Sequence, residues 1–103
     1  MEAQGAILVD IDEFSPDAEN FWGDSLAVLQ YEFKDSLNAY LAATPDMVAT
    51  RSLTELMAFN AENADMEMAL FDQSLFEESD DKGPLTDPDY LSAKIDINRV
   101  VLV

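Results

Sequence analysis

The run Ser15-Pro16-Asp17-Ala18-Glu19-Asn20-Phe21-Trp22-Gly23-Asp24-Ser25-Leu26-Ala27-Val28-Leu29-Gln30-Tyr31-Glu32-Phe33-Lys34-Asp35-Ser36-Leu37-Asn38-Ala39-Tyr40 decides the fold class. Its large apolar residues Trp22, Leu26, Leu29, Phe33, Leu37 and Tyr40 recur at steps of four, three, four, four and three, which places them on one stripe of an α-helix. Ser15 is suited to the N-cap, Pro16 to the first helical position, and Asp17 and Glu19 to the positive end of the helix dipole. Thr44-Pro45-Asp46 stops the helix, because a residue before proline resists the helical region. The pattern predicts one helix over residues 16–43.

Downstream, Ser52-Leu53-Thr54-Glu55 has the form of a capping box. It predicts a short helix over 52–62, with Leu53, Leu56, Met57 and Phe59 on its inner side and Asn60 and Asn63 closing it. Met66 to Ser79 reads as a further helix, burying Leu70, Phe71, Leu75 and Phe76. Asp80-Asp81-Lys82-Gly83-Pro84 is a loop, and Asp87-Pro88 starts a last helix over 88–99 with Tyr90, Leu91 and Ile95. Upstream, Ala6 to Asp12 reads as a strand, 6–12, on its β-branched run and the alternation of Asp10 and Asp12 with Ile11. A lone strand leaves its backbone groups unpaired. The apolar tail Val100 to Val103 is the available partner within the chain, unless it ends a helix. That tail has neither cap nor closing turn, so the chain reads as cut rather than finished. The expected fold class is mostly α: one N-terminal strand and about four helices in a single segment, 1–103.

Composition narrows the chemistry. Apolar residues make up 49% of the 103, with six Phe, three Tyr and one Trp, enough for a modest core and unlike a disordered acidic tail. Acidic residues number 22 against 5 basic ones, a net charge of −17. Such a field repels nucleic acid and anionic membrane, and favours cations or basic proteins; a solvated acidic surface is the plainer reading. No apolar run approaches the roughly 20 residues of a membrane span, and the Met1-Glu2-Ala3-Gln4 start lacks a signal peptide's positive region. The expectation is a cytoplasmic protein without nucleic-acid or membrane partners.

With no histidine and no cysteine, a Ser/His/Asp triad, a histidine base and thiol catalysis are excluded, and a zinc site would be very unusual. Three scattered glycines (Gly5, Gly23, Gly83) build no phosphate-binding loop. Setting Gly83 at position six of a calcium loop puts Glu78, Asp80 and Lys82 at ligand positions and Asp89 at the last. The lysine, and an aspartate in place of the bidentate glutamate, both break that pattern. Asp10, Asp12 and Glu13 are a charged strand end more readily than a cation site. Lys34 with Ser36, and Lys94 with Ser92, are two apart and point to different helix faces, so they read as surface residues. No catalytic, cofactor-binding or metal-binding residue is assigned, and no cofactor is expected.

An ordered set of short stretches resembles the middle region of bacterial amidase-signature enzymes. It comprises Tyr31-Glu32-Phe33-Lys34, Leu37-Asn38-Ala39-Tyr40-Leu41, Arg51-Ser52-Leu53-Thr54-Glu55-Leu56 and Ala58-Phe59-Asn60, then Phe71-Asp72-Gln73-Ser74-Leu75-Phe76-Glu77 and Leu85-Thr86-Asp87-Pro88-Asp89-Tyr90-Leu91. Met1-Glu2-Ala3-Gln4-Gly5-Ala6 is similar to the helix end and strand start of that region. The resemblance implies an incomplete α/β fold segment from an amide hydrolase. That family's Ser–cis-Ser–Lys residues lie upstream, on a Gly/Ser-rich segment this chain lacks, so none is carried over. It further implies scaffold and pocket wall, with Trp22, Tyr31 and Phe33 either packing or lining an acyl or amide pocket. The expected state is an inactive segment that self-associates through orphaned apolar surface or strand 6–12. The alternatives are a free-standing acidic helical module that binds a basic protein or mimics nucleic acid, and an enzyme using carboxylates alone.

Overall fold

The computed structural model describes residues 1–10 and 19–101. After a 3-10 turn at Glu2–Gln4, five α-helices follow among these residues: α1 Phe21–Ala42, α2 Leu53–Glu62, α3 Ala64–Glu67, α4 Ser74–Asp80 and α5 Pro88–Val101. The architecture is mostly helical. Helix α1 is the spine, and α2, α4 and α5 all pack on it.

The helix expected over 16–43 corresponds to α1, which begins later, at Phe21, with residues 19 and 20 in a turn and Asn20 in the cap position. The Ser15-Pro16 start lies outside the described residues. Ser52 caps α2 by accepting the amide of Glu55 at 3.2 Å. The glutamate reaches one residue further back than a standard capping box, taking the amide of Arg51 at 2.6 Å. Helix α5 continues through Val100 and Val101, so these two residues are not a strand. Its start is set by Asp87, whose carboxylate accepts the amide of Asp89 at 3.1 Å.

Two expectations are corrected. Residues 6–10 of the expected strand 6–12 form no strand, and Ile11 and Asp12 lie outside the described residues. Among the described residues no second strand is present to take up its hydrogen bonds, and Ile7 and Val9 stand 90% and 81% exposed. The helix expected over 66–79 is two helices, α3 and α4, separated by residues 68–73. The break has a local cause at Asp72, whose Oδ1 accepts both the amide of Ser74 at 3.1 Å and its hydroxyl at 2.7 Å. That side-chain turn competes with a continuous helix and starts a new one. Leu70, Phe71 and Leu75, expected in the core, are exposed.

The core is small: Tyr31, Leu41, Leu53, Tyr90 and Ala93, with the polar Gln30 and Ser79. Leu53 is the one large side chain fully out of solvent among the described residues, at 0% exposure. Its amide donates to Asn38 Oδ1 at 2.8 Å, which fixes α2 against α1. The molecule exposes 8150 Å², where a folded chain of this mass ordinarily exposes roughly 5,800 Å². Its radius of gyration is 19.4 Å, against about 13 Å for a compact domain of this length. Among the described residues no helix is long and apolar enough to cross a membrane.

Candidate functional site

Helix α1 carries two faces, and they are used in an unexpected way. The buried positions are Gln30, Tyr31 and Leu41, with Lys34 and Asn38 partly covered beside them. The apolar stripe read from the sequence lies roughly a third of a turn away. On that stripe Trp22, Leu26, Leu29 and Tyr40 are exposed, and Phe33 and Leu37 are half-buried. The mixed polar face therefore meets the rest of this chain, and the hydrocarbon face is left largely open, with Phe33 reaching Phe76 of α4.

The inward face is held by cations placed at helix ends. Lys34 donates to the carbonyls of Asp80 and of Lys82, the latter at 2.7 Å, and so caps the C-terminal end of α4 from α1. Its ammonium also lies 4.0 Å from Asp80 Oδ1. Arg51 does the same for α1. Its guanidinium donates to the carbonyls of Ala42 at 2.7 Å, Thr44 at 2.9 Å and Pro45 at 3.2 Å, and to Thr44 Oγ1 at 2.8 Å. Both arrangements satisfy carbonyls that a helix end leaves without partners, with the charge sign its dipole favours. Sequence reading took Lys34 for a surface residue; its partners are backbone carbonyls 46 and 48 positions away, which no spacing rule reveals.

Across α1 and α5, Tyr31 and Tyr90 pack ring to ring at 5.5 Å. Tyr90 donates its hydroxyl proton to Glu32 Oε1 at 2.8 Å, and Lys94 donates to that oxygen at 2.9 Å and to the Tyr90 hydroxyl at 2.7 Å. These hydrogen bonds, Lys94's first and then Tyr90's, hold the Glu32 carboxyl below its ordinary value. Lys94 is held above its own, chiefly by Tyr90 and then by Glu32. Burial, followed by a hydrogen bond to Asp87, raises Tyr31. Glu32, Tyr90 and Lys94 thus tie α1 to α5.

The candidate site is a groove of about 210 Å³ between α1 and α4, walled by Leu26, Leu29, Phe33, Leu75 and Phe76. Phe33 and Phe76 stack at 5.4 Å along its length. At its floor Gln30 Nε2 donates to Glu78 Oε2 at 2.6 Å, and Ser79 Oγ donates to the Leu75 carbonyl at 2.6 Å. The groove presents carbon almost everywhere, so it can receive an apolar group but has no base or free nucleophile to act on one. The carboxylates tried against a calcium loop do not converge. Asp80 faces Lys34 and Thr54, and Glu78 faces Gln30. Among the described residues no cluster of three or more acidic side chains could hold a metal ion.

Fold and groove together define a helical packing segment, tied internally by polar contacts and apolar on its outer side. No family model matches the sequence, and no curated protein does. Solved structures do. Native peptide amidase from Stenotrophomonas maltophilia matches with a TM-score of 0.72 and 34% identity, over 82% of this chain and 17% of that one. The peptide amidase PAM, in complex with the competitive inhibitor chymostatin, matches with a TM-score of 0.71 and 35% identity over 78% of this chain and 16% of its own. PAM12A matches at 36% identity over the same shares. The chain thus spans about one sixth of the length of these structures. Their likeness supports a relation to the amidase-signature enzymes.

Proposed function

We propose that this chain is an internal helical segment of an amide hydrolase of the peptide amidase kind, supplying scaffold and leaving the chemistry to residues outside it. One observation carries the reading: 34% identity at a TM-score of 0.72 over 82% of the chain. Identity at that level over a matched fold speaks for common descent rather than a shared helix arrangement alone. The chain's inventory fits a scaffold role. It has neither histidine nor cysteine, and the ammonium of the half-buried Lys34 is engaged by two carbonyls.

Segment exchange tests this. The stretch of the Stenotrophomonas peptide amidase that matches this chain is replaced by residues 1–103, and amide hydrolysis is assayed for the chimera and for the chain alone. The chimera should hydrolyse a peptide amide and the chain alone should not. A folded chimera without activity would remove the proposal, and turnover by the isolated chain would remove its claim of catalytic silence.

A further inference from the structure

Resting on that reading, we infer that the groove between α1 and α4 is a docking surface whose occupant is the remainder of the same amidase-like protein, not a second copy of this chain. The occupant offers an apolar side chain of about ring size, set in a rim that is neutral or basic.

Three observations support this occupant. The groove's 210 Å³ is the scale of an apolar cavity that takes up a benzene ring, about 150 Å³. Its walls are exposed where they should be covered: Leu29 is 64% and Leu75 57% open to solvent, on the hydrocarbon face of the spine helix. Contiguous apolar surface of that kind on a folded chain marks an interaction site. The matched solved structures are far longer than this chain, which covers 17% of the first of them, so the protein of the proposed reading has ample material to provide a cover.

Charge decides against a second copy. Each chain carries a net −17, so pairing two brings like fields together around the groove, a cost that grows as salt is lowered. Of the five cations that could offset it, Lys34 and Arg51 are engaged on carbonyls, Lys94 on Glu32 and Arg99 beside Asp96, and Lys82 sits over the Tyr31 ring, too few in any case against 22 acidic residues. A cover with few carboxylates and some basic residues meets no such opposition.

The test uses Leu29→Asp and Leu75→Asp, with Met47→Asp as the control at an exposed position outside the groove. In the isolated chain all three should keep the wild-type helical signal, since these side chains already face water. In the chimera the two groove variants should lose amide hydrolysis by about a hundredfold or lose soluble yield, because a misplaced reacting centre costs that much. Met47→Asp, and the volume-conserving Leu29→Met, should retain both. A chimera that stays active with both groove aspartates overturns the docking inference and leaves the proposed function standing. A folded chimera inactive before any groove change overturns the proposed function itself. Sedimentation of the isolated chain supplies an arm independent of the chimera. A discrete dimer, at low or at molar salt, that Leu29→Asp dissolves would make a second copy the occupant and overturn the inference, whereas a monomer, or association at high salt that Leu29→Asp leaves unchanged, supports it.

Discussion

Single side chains decide more here than composition suggests. Leu53 is the keystone of the small core, wholly buried and tied through its amide to Asn38. Leu53→Ala should cost about 2–5 kcal/mol, the usual range for a buried leucine, read as a fall in the urea midpoint of the helical signal. A value under about 1 kcal/mol would show that the site collapses without a cavity. Arg51→Ala leaves the Ala42, Thr44 and Pro45 carbonyls without their cation and should cost about 1–2 kcal/mol. Arg51→Lys should recover only part, because an ammonium lacks the planar fork that reaches three carbonyls together. The capping role of Ser52 was legible in the sequence, since its partner is three residues away. The roles of Arg51 and Lys34 were not, because they serve carbonyls, and a carbonyl has no identity in a sequence.

At the scale of elements, periodicity found the spine helix and misjudged what it faces. A stripe of apolar residues states that one face of a helix will be covered; it does not state by what. The burial of Gln30 and Tyr31 follows from partners on α4 and α5, respectively 48 residues on through Glu78 and in the ring of Tyr90. The α3–α4 break escaped because Leu70, Phe71, Leu75 and Phe76 imitate helical spacing, although Asp72 two residues before Ser74 is a start signal in plain view. The α1–α5 contact should be pH-sensitive on both sides. Glu32 is lowered in the folded chain, so its contribution is full above the ordinary carboxylate value and fades as pH falls through the lowered one. Lys94 and Tyr31 are raised, so theirs is full below pH about 10 and fades as pH rises beyond. Hydrogen exchange in α5 should therefore quicken at both extremes. Glu32→Gln should flatten the acid limb and also weaken the alkaline one, because Glu32 helps to raise Lys94, and an unchanged acid limb in that variant would show that other carboxylates govern it.

For the molecule as a whole, the surface tells the same story as the groove. A chain this open, carrying this charge, should change its association state with ionic strength. At low salt its copies repel; as salt shortens the screening length to about 3 Å at molar concentration, exposed apolar faces are free to meet. Sedimentation across a salt series should show larger species appearing as salt rises, and association that weakens with salt would instead point to ion pairing between copies. The fold class was legible because helices announce themselves over a few turns. The fate of Ala6 to Asp10 was not, because a strand exists only with its neighbour, and pairing is a property of a whole molecule.

The connection between α3 and α4 has a practical corollary. Leu70 and Phe71 stand open there, while the corner between α1 and α2 is gripped by Arg51. A protease with a taste for aromatic residues should nick the chain after Phe71 before it cuts elsewhere among the described residues. The severed C-terminal piece would hold α4 and α5, both of which pack on α1 in the other piece. The two should travel together through a native gel and part only in denaturant, making residues 68–73 a place where the polypeptide can be divided without dismantling what it builds.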